Sequence, residues 1–213
     1  METKHQVFNL IILDESGSME SIKRATINGF NEVVQTIQGV EKDFPDQLHL
    51  ISFITFNGRG IKTLLFNEPV SKLTLIDESK YKPDSMTPLY DALGYGLKKQ
   101  QKSTESLTDF NVLVTILTDG EENASKEFTQ SSIKALIDEL NQKNWTFTYI
   151  GANQDVTSVA ASLSIQNTMD FMASEEGVKQ MFEKEKKARI SFSKKIQAKE
   201  NTKSGYYDDD QKF

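Results

Sequence analysis

Apolar and polar positions along the chain switch between two periods, and those switches divide it into elements. Val7-Phe8-Asn9-Leu10-Ile11-Ile12-Leu13 is a short, mostly apolar run that stops abruptly at Asp14-Glu15-Ser16-Gly17-Ser18-Met19. This predicts a buried strand ending at a polar edge, with a turn at Gly17. From Met19 to about Gln38, Ile22, Ala25, Ile27, Phe30, Val33, Val34 and Ile37 recur at helical spacing, which predicts an amphipathic helix ended by Gly39. Residues 48–56 and about 61–66 read as strands, and Asn57-Gly58-Arg59-Gly60 between them predicts an antiparallel hairpin.

Residues 68–86 are polar, and Pro69 and Pro83 predict irregular backbone there. Thr87-Pro88 then opens a helix to about Gln101, with Pro88 in its first turn and Thr87 as its N-cap. Residues 111–118 are almost continuously apolar and β-branched, as in a strand buried on both faces, and they stop at Asp119-Gly120-Glu121-Glu122-Asn123. A helix over 130–143, a strand over 145–150, a short helix ending at Leu163 and a strand near 168–172 continue the alternation. Ser174-Glu175-Glu176 opens a long polar helix to about Lys199.

This order predicts an α/β fold of three layers: a mostly parallel, Rossmann-like central sheet with one antiparallel edge strand and helices on both faces. In such sheets ligands bind beyond the carboxyl ends of the strands, where the strand order reverses. Asp14 and Asp119 both sit at such ends. The chain divides into a main domain over 1–173, an amphipathic basic helix over 174–200 and a disordered tail over 201–213.

Composition narrows the function classes. With 213 residues, 37% hydrophobic and 26% charged, the chain suits one globular α/β domain. No apolar run approaches the roughly 20 residues of a membrane span. Met1-Glu2-Thr3-Lys4-His5 leads into only a strand-length apolar run, so no signal peptide is read and a cytoplasmic location is expected. The absence of cysteine excludes disulfides, thiolate catalysis and thiolate metal sites.

The net charge of -6 is uneven: residues 1–178 hold 15 Lys and Arg against 25 Asp and Glu, and residues 179–213 hold 10 against 6. An acidic body argues against nucleic-acid binding.

The chemistry gathers at the strand ends. Asp14, Ser16 and Ser18 at alternate positions of a tight turn can all point inward, and a hard cation such as Mg²⁺ takes oxygen ligands in that way. Asp and Ser are also ordinary turn formers and N-caps, so these residues alone leave both readings open. Thr87 at a helix start and Asp119 after a central strand complete a set of five.

Together, Asp14-x-Ser16-x-Ser18, Thr87 and Asp119 resemble the metal-ion-dependent adhesion site of von Willebrand factor type A domains, over roughly residues 5–172 and of the bacterial or phage intracellular type. The resemblance implies that the hydroxyls of Ser16, Ser18 and Thr87 bind Mg²⁺ directly, with Mn²⁺ or Ca²⁺ as alternatives. It implies that Asp14 and Asp119 act through bound water or as hydrogen-bond acceptors. It also implies a non-enzymatic module that captures a partner's Asp or Glu, beside an AAA+ ATPase or in a stress- or phage-related assembly. Ser85-Met86 stands where many relatives carry glycine-rich sequence, which affects the expected loop geometry.

Glu15, Glu20, Glu121 and Glu122 are expected to rim the site as solvated loop charges. Asn153 and Gln154 follow a strand end and are either partner contacts or loop polarity. Asp91 stands one helical turn from Thr87. His5 and His49 fall at the opposite end of the strands from Asp14, and no G-x-S-x-G elbow or phosphate-binding glycine loop is present.

Two rival readings remain open at this point. In a Mg²⁺-dependent phosphatase Asp14 would be the nucleophile, but the haloacid dehalogenase pattern needs a second Asp where Ser16 stands. In a scaffold, the basic C-terminal helix would carry the binding.

Overall fold

The computed structural model describes residues 4–152, 155–172 and 174–207. Among the described residues six strands form one sheet: β1 (His5–Asp14), β2 (Gln47–Asn57), β3 (Gly60–Pro69), β4 (Phe110–Thr118), β5 (Trp145–Gly151) and β6 (Asn167–Asp170). Their order is β3-β2-β1-β4-β5-β6, and every pair is parallel except the β2–β3 hairpin at one edge. It is covered by the α-helices α1 (Lys23–Asp43), α2 (Leu89–Thr104), α3 (Gln130–Asn141), α4 (Val156–Ser162) and α5 (Glu175–Gln197). Among the described residues no helix is long and apolar enough to cross a membrane.

The sheet has two buried faces, which explains the unbroken apolar runs. Alternate residues Phe8, Leu10 and Ile12 of β1 pack under α2, α3 and α4. Ile11 and Leu13 point the other way, into a cluster with α1 and the first half of α5. The strand order runs from β1 to β2 on one side and reaches β4 on the other, so the reversal falls between β1 and β4. Leu13 pairs with Leu117, which puts Asp14 beside Thr118 and one residue from Asp119. Two aspartates 105 positions apart in the numbering therefore meet because two parallel strands end in register.

Three local expectations are revised. The helix after β1 begins as a 3₁₀ turn over Gly17–Ile22 and continues through Gly39 to Asp43. Gly39 faces open space while Val40 is buried, so burial of the next residue carries the helix past the glycine. The last strand ends at Asp170, before Phe171 and Met172.

The third revision concerns the C-terminal segment. Residues 201–207, expected as part of a disordered tail, are irregular in backbone but pack against α5 and the β6 edge. Tyr206 and Tyr207 both donate to the buried carboxylate of Glu185, at 3.1 and 2.9 Å, and Asn167 accepts from the Tyr206 amide. The second half of α5 lies on a polar part of the sheet, where Arg189 donates to Asn9 at 3.1 Å and Thr115 at 2.7 Å. The carboxylate of Glu185 stands 2.9 Å from Arg189 Nε. Both side chains are at most 3% exposed, and this half of the helix is attached through the bonds that Arg189 and Glu185 make to the sheet and to the two tyrosines, beside an apolar cluster of Val7, Leu113, Ala188, Phe192 and Tyr206.

Candidate functional site

The site is built from the end of β1 outward. Asp14 is fully buried, and both carboxylate oxygens have donors: the Ser16 amide at 2.7 Å to Oδ1 and Thr118 Oγ1 at 2.6 Å to Oδ2. The buried Tyr81 hydroxyl donates to the Asp14 carbonyl at 2.7 Å. Burial pushes the Asp14 pKa up to about 6 despite these bonds, and the nearby Asp119 charge adds to the rise.

Beyond Asp14 the chain turns so that Ser16 and Ser18 present their hydroxyls side by side, 3.2 Å apart. Ser18 Oγ donates to Asp119 Oδ1 at 2.6 Å, joining the β1 turn to the β4 end. Gly120 marks where the oxygens converge. A Cβ there would lie 3.0 Å from Thr87 Oγ1, 3.3 Å from Ser18 Oγ and 3.6 Å from Ser16 Oγ. The missing side chain leaves room in front of three hydroxyls and one carboxylate.

Among the described residues the other oxygen of Asp119, Oδ2, is buried without a hydrogen-bond partner. Burial raises the pKa of this group as well. The described residues contain no group of three or more His, Asp or Glu able to hold a cation. The donor set is instead three neutral hydroxyls and two aspartates. These are hard oxygens, which suit Mg²⁺, Mn²⁺ or Ca²⁺ rather than a soft metal.

Thr87 arrives differently from the expectation. Helix α2 starts at Leu89 with Pro88 before it, so Thr87 is not its N-cap. The free donors of the first turn are met from the loop after β4: Tyr90 N donates to Glu122 Oε2 and Asp91 N to Ser125 Oγ. Thr87 itself is fixed through its backbone, with its amide donating to Asn123 Oδ1 at 2.8 Å and its carbonyl accepting from Asn123 N. Its side chain is thereby left for the oxygen cradle.

All five residues expected at the site are brought together. The expected rim divides. Glu15 is buried, not solvated: its carboxylate accepts from Lys62 Nζ at 3.0 Å and Lys82 N at 2.8 Å, tying the hairpin to the loop that carries Thr87. Glu122 accepts from the Ala124 and Ser125 amides, and Asp91 from those of Lys126, Glu127 and Phe128. Both are loop organisers. Glu20 and Glu121 remain exposed.

Asn153 and Gln154 lie outside the described residues. His5 pairs with Asp109 and His49 with Gln47, both at the far end of the sheet. Sequence reasoning missed Tyr81, Thr118 and Asn123, which hold the site from the flanking segments.

A profile of the von Willebrand factor type A domain matches residues 10–188. No curated protein matches the sequence. Among solved structures, the chain is similar to proximal thread matrix protein 1 of the mussel byssus, at 13% identity and TM-score 0.55, covering 87% of this chain and 46% of that one. It is similar to the pilus adhesin SpaC of Lactobacillus rhamnosus GG at 12% identity and TM-score 0.61, covering 89% and 30%. The vWF domain of the type V pili tip protein Mfa5 of Porphyromonas gingivalis matches at 10% identity and TM-score 0.54, covering 85% and 95%. The chain thus spans less than half the length of the first two. At these identities the likeness is one of fold.

Proposed function

Because the chain belongs to the von Willebrand factor type A domain family, we propose that it is a protein-binding module that captures a partner's Asp or Glu at a divalent cation. Ser16, Ser18 and Thr87 would hold the cation directly, with Mg²⁺ as the species proposed. A bound cation would supply a Lewis-acidic position for a carboxylate oxygen. The chain's own groups prepare that position. Neutral hydroxyls leave a cation's charge largely uncompensated, which favours an external anion. Asp14 orients the turn through the Ser16 amide, and Asp119 orients Ser18 through its hydroxyl.

The observation that carries this reading is Asp119 Oδ2. A buried carboxylate oxygen without a donor costs about 1–3 kcal/mol, and a cation or its bound water relieves that cost. The cradle in front of Gly120 gives such a ligand its place.

Phosphatase chemistry fits less well. A nucleophilic carboxylate must reach the substrate, whereas Asp14 is fully buried with both oxygens engaged. The chain is therefore read as non-enzymatic. Its partner is proposed to be a protein, and the resemblance to intracellular relatives points to an AAA+ ATPase or a stress- or phage-related assembly.

The test is capture from source-cell lysate on immobilised protein in Mg²⁺, in EDTA, and in Mg²⁺ with Asp14→Ala. A protein retained only in the first condition supports the proposal. The same proteins in all three would reject it and direct attention to α5.

A further inference from the structure

We infer that Met86 is a specificity-determining contact beside the oxygen cradle, selecting partner segments whose captured Asp or Glu has an apolar side chain next to it; this rests on the function proposed above. Met86 is the residue before Thr87, and it is 55% exposed. Adjacent Cα atoms are about 3.8 Å apart, so an extended segment with its carboxylate at the cradle places a neighbouring side chain within reach.

The loop that presents Met86 is braced from several sides. Asp84 N donates to the Glu15 carbonyl and Gly17 N to the Ser85 carbonyl, both at 2.9 Å, and Arg59 pairs with Asp84. Ser85 adopts φ 68°, a left-handed conformation that costs a non-glycine residue energy and persists where the surroundings enforce it. The hairpin turn supplies part of that enforcement. A Cβ on Gly58 would lie 2.9 Å from Met86 N and 3.2 Å from Met86 Cβ, so the turn packs on this loop as only glycine can.

Met86 is consequently held in one place with its apolar end in water. In the free chain that exposure contributes little packing, and a partner's apolar side chain would cover it. A thioether on an unbranched chain adapts to apolar groups of different shape. Glu20 and Glu121, exposed on the segments that carry Ser18 and Asp119, disfavour further acidic residues, so the preferred segment carries one carboxylate with an apolar neighbour rather than an acidic run.

The test uses the full chain labelled with ¹⁵N and with ¹³C at its methionine methyls, titrated with two blocked peptides, Gly-Leu-Asp-Leu-Gly and Gly-Ser-Asp-Ser-Gly, in Mg²⁺ and in EDTA. The expected result is a Mg²⁺-dependent shift of the Thr87 and Gly120 amides by both peptides. Affinity should be about three- to tenfold higher for the leucine peptide, whose binding also moves the Met86 methyl. Met86→Ser should bring the two peptides to equal affinity, and Met86→Gln should retain little of the preference.

Equal affinities for the native chain, or a leucine preference that survives in Met86→Ser, would overturn the inference while leaving the metal-dependent site intact. If neither peptide shifts these amides in Mg²⁺, the proposed function itself fails, and the inference with it.

Discussion

Thr118 Oγ1 donates to Asp14 Oδ2 at 2.6 Å, so the last residue of β4 holds the last residue of β1 in a fixed orientation. Thr118 is not among the proposed cation ligands, yet it sets the carboxylate on which the Ser16 turn is built. Thr118→Val keeps the volume and removes the donor. It should lower Mg²⁺ affinity roughly tenfold or more, as loss of a partner behind a metal site does. Calorimetric titration of the two proteins, with circular dichroism to check the fold, measures this; unchanged affinity would show that Asp14 needs no orientation.

Gly120 should matter more for binding than for folding. In Gly120→Ala the new methyl would meet Thr87 Oγ1 at 3.0 Å and Ser18 Oγ at 3.3 Å, inside the cradle itself. Stability should change by no more than about 1 kcal/mol, because rotating hydroxyls can give way. Mg²⁺ binding should be lost. Thermal melts in EDTA and in Mg²⁺ separate the two effects: the native chain gains stability from the cation and the variant does not.

Two buried groups tie stability to pH with opposite signs. Asp14 titrates at about 6 when folded against 3.8 in a model peptide, so the folded chain binds its proton first. Its contribution therefore rises as pH falls through 6 toward 3.8. His49, pushed down to about 4 chiefly by burial and then by Arg189, behaves in reverse: the unfolded chain takes the proton first, and stability is lost between 6.5 and about 4.

Each shift corresponds to roughly 3 kcal/mol. Urea melts in EDTA should show Asp14→Asn losing stability more steeply than the native chain below pH 6.5, and His49→Gln less steeply. Parallel curves for all three would contradict both assignments.

The buried ion pair of α5 makes a different kind of prediction. Arg189→Met alone leaves the fully buried Glu185 uncompensated and should cost about 3–5 kcal/mol. Adding Glu185→Leu should recover part of that loss, since it removes the unpaired charge but leaves the Tyr206 and Tyr207 hydroxyls without their acceptor. Denaturant melts of the single and double variants read the difference. Equal destabilisation would mean that Tyr206 and Tyr207, rather than the ion pair, dominate the bonding of Glu185.

The elements legible in the sequence were those with a local signature. Apolar runs ending at Asp14 and Thr118 marked parallel strands, Asn57-Gly58 marked the hairpin, and the spacing of Asp14, Ser16 and Ser18 marked the turn. What stayed hidden depends on contacts between distant segments. Tyr81 reaches the Asp14 carbonyl and Asn123 the Thr87 amide, and neither residue carries a pattern of its own. Glu15 and Glu122 look like solvated loop charges until the backbone amides they accept from are placed around them. Arg189 and Glu185 have the spacing of a surface pair, and only the polar floor formed by Asn9 and Thr115 turns that pair inward.

Whether the cradle of Ser16, Ser18 and Thr87 before Asp119 holds a divalent cation is read from a Mg²⁺ titration of the metal-free ¹⁵N-labelled chain. One saturable site is expected, with amide shifts concentrated at Ser16, Ser18, Thr87 and Gly120, and loss of those shifts in Asp119→Ala. Shifts scattered over exposed carboxylates such as Glu20 and Glu121, unchanged in Asp119→Ala, would contradict it.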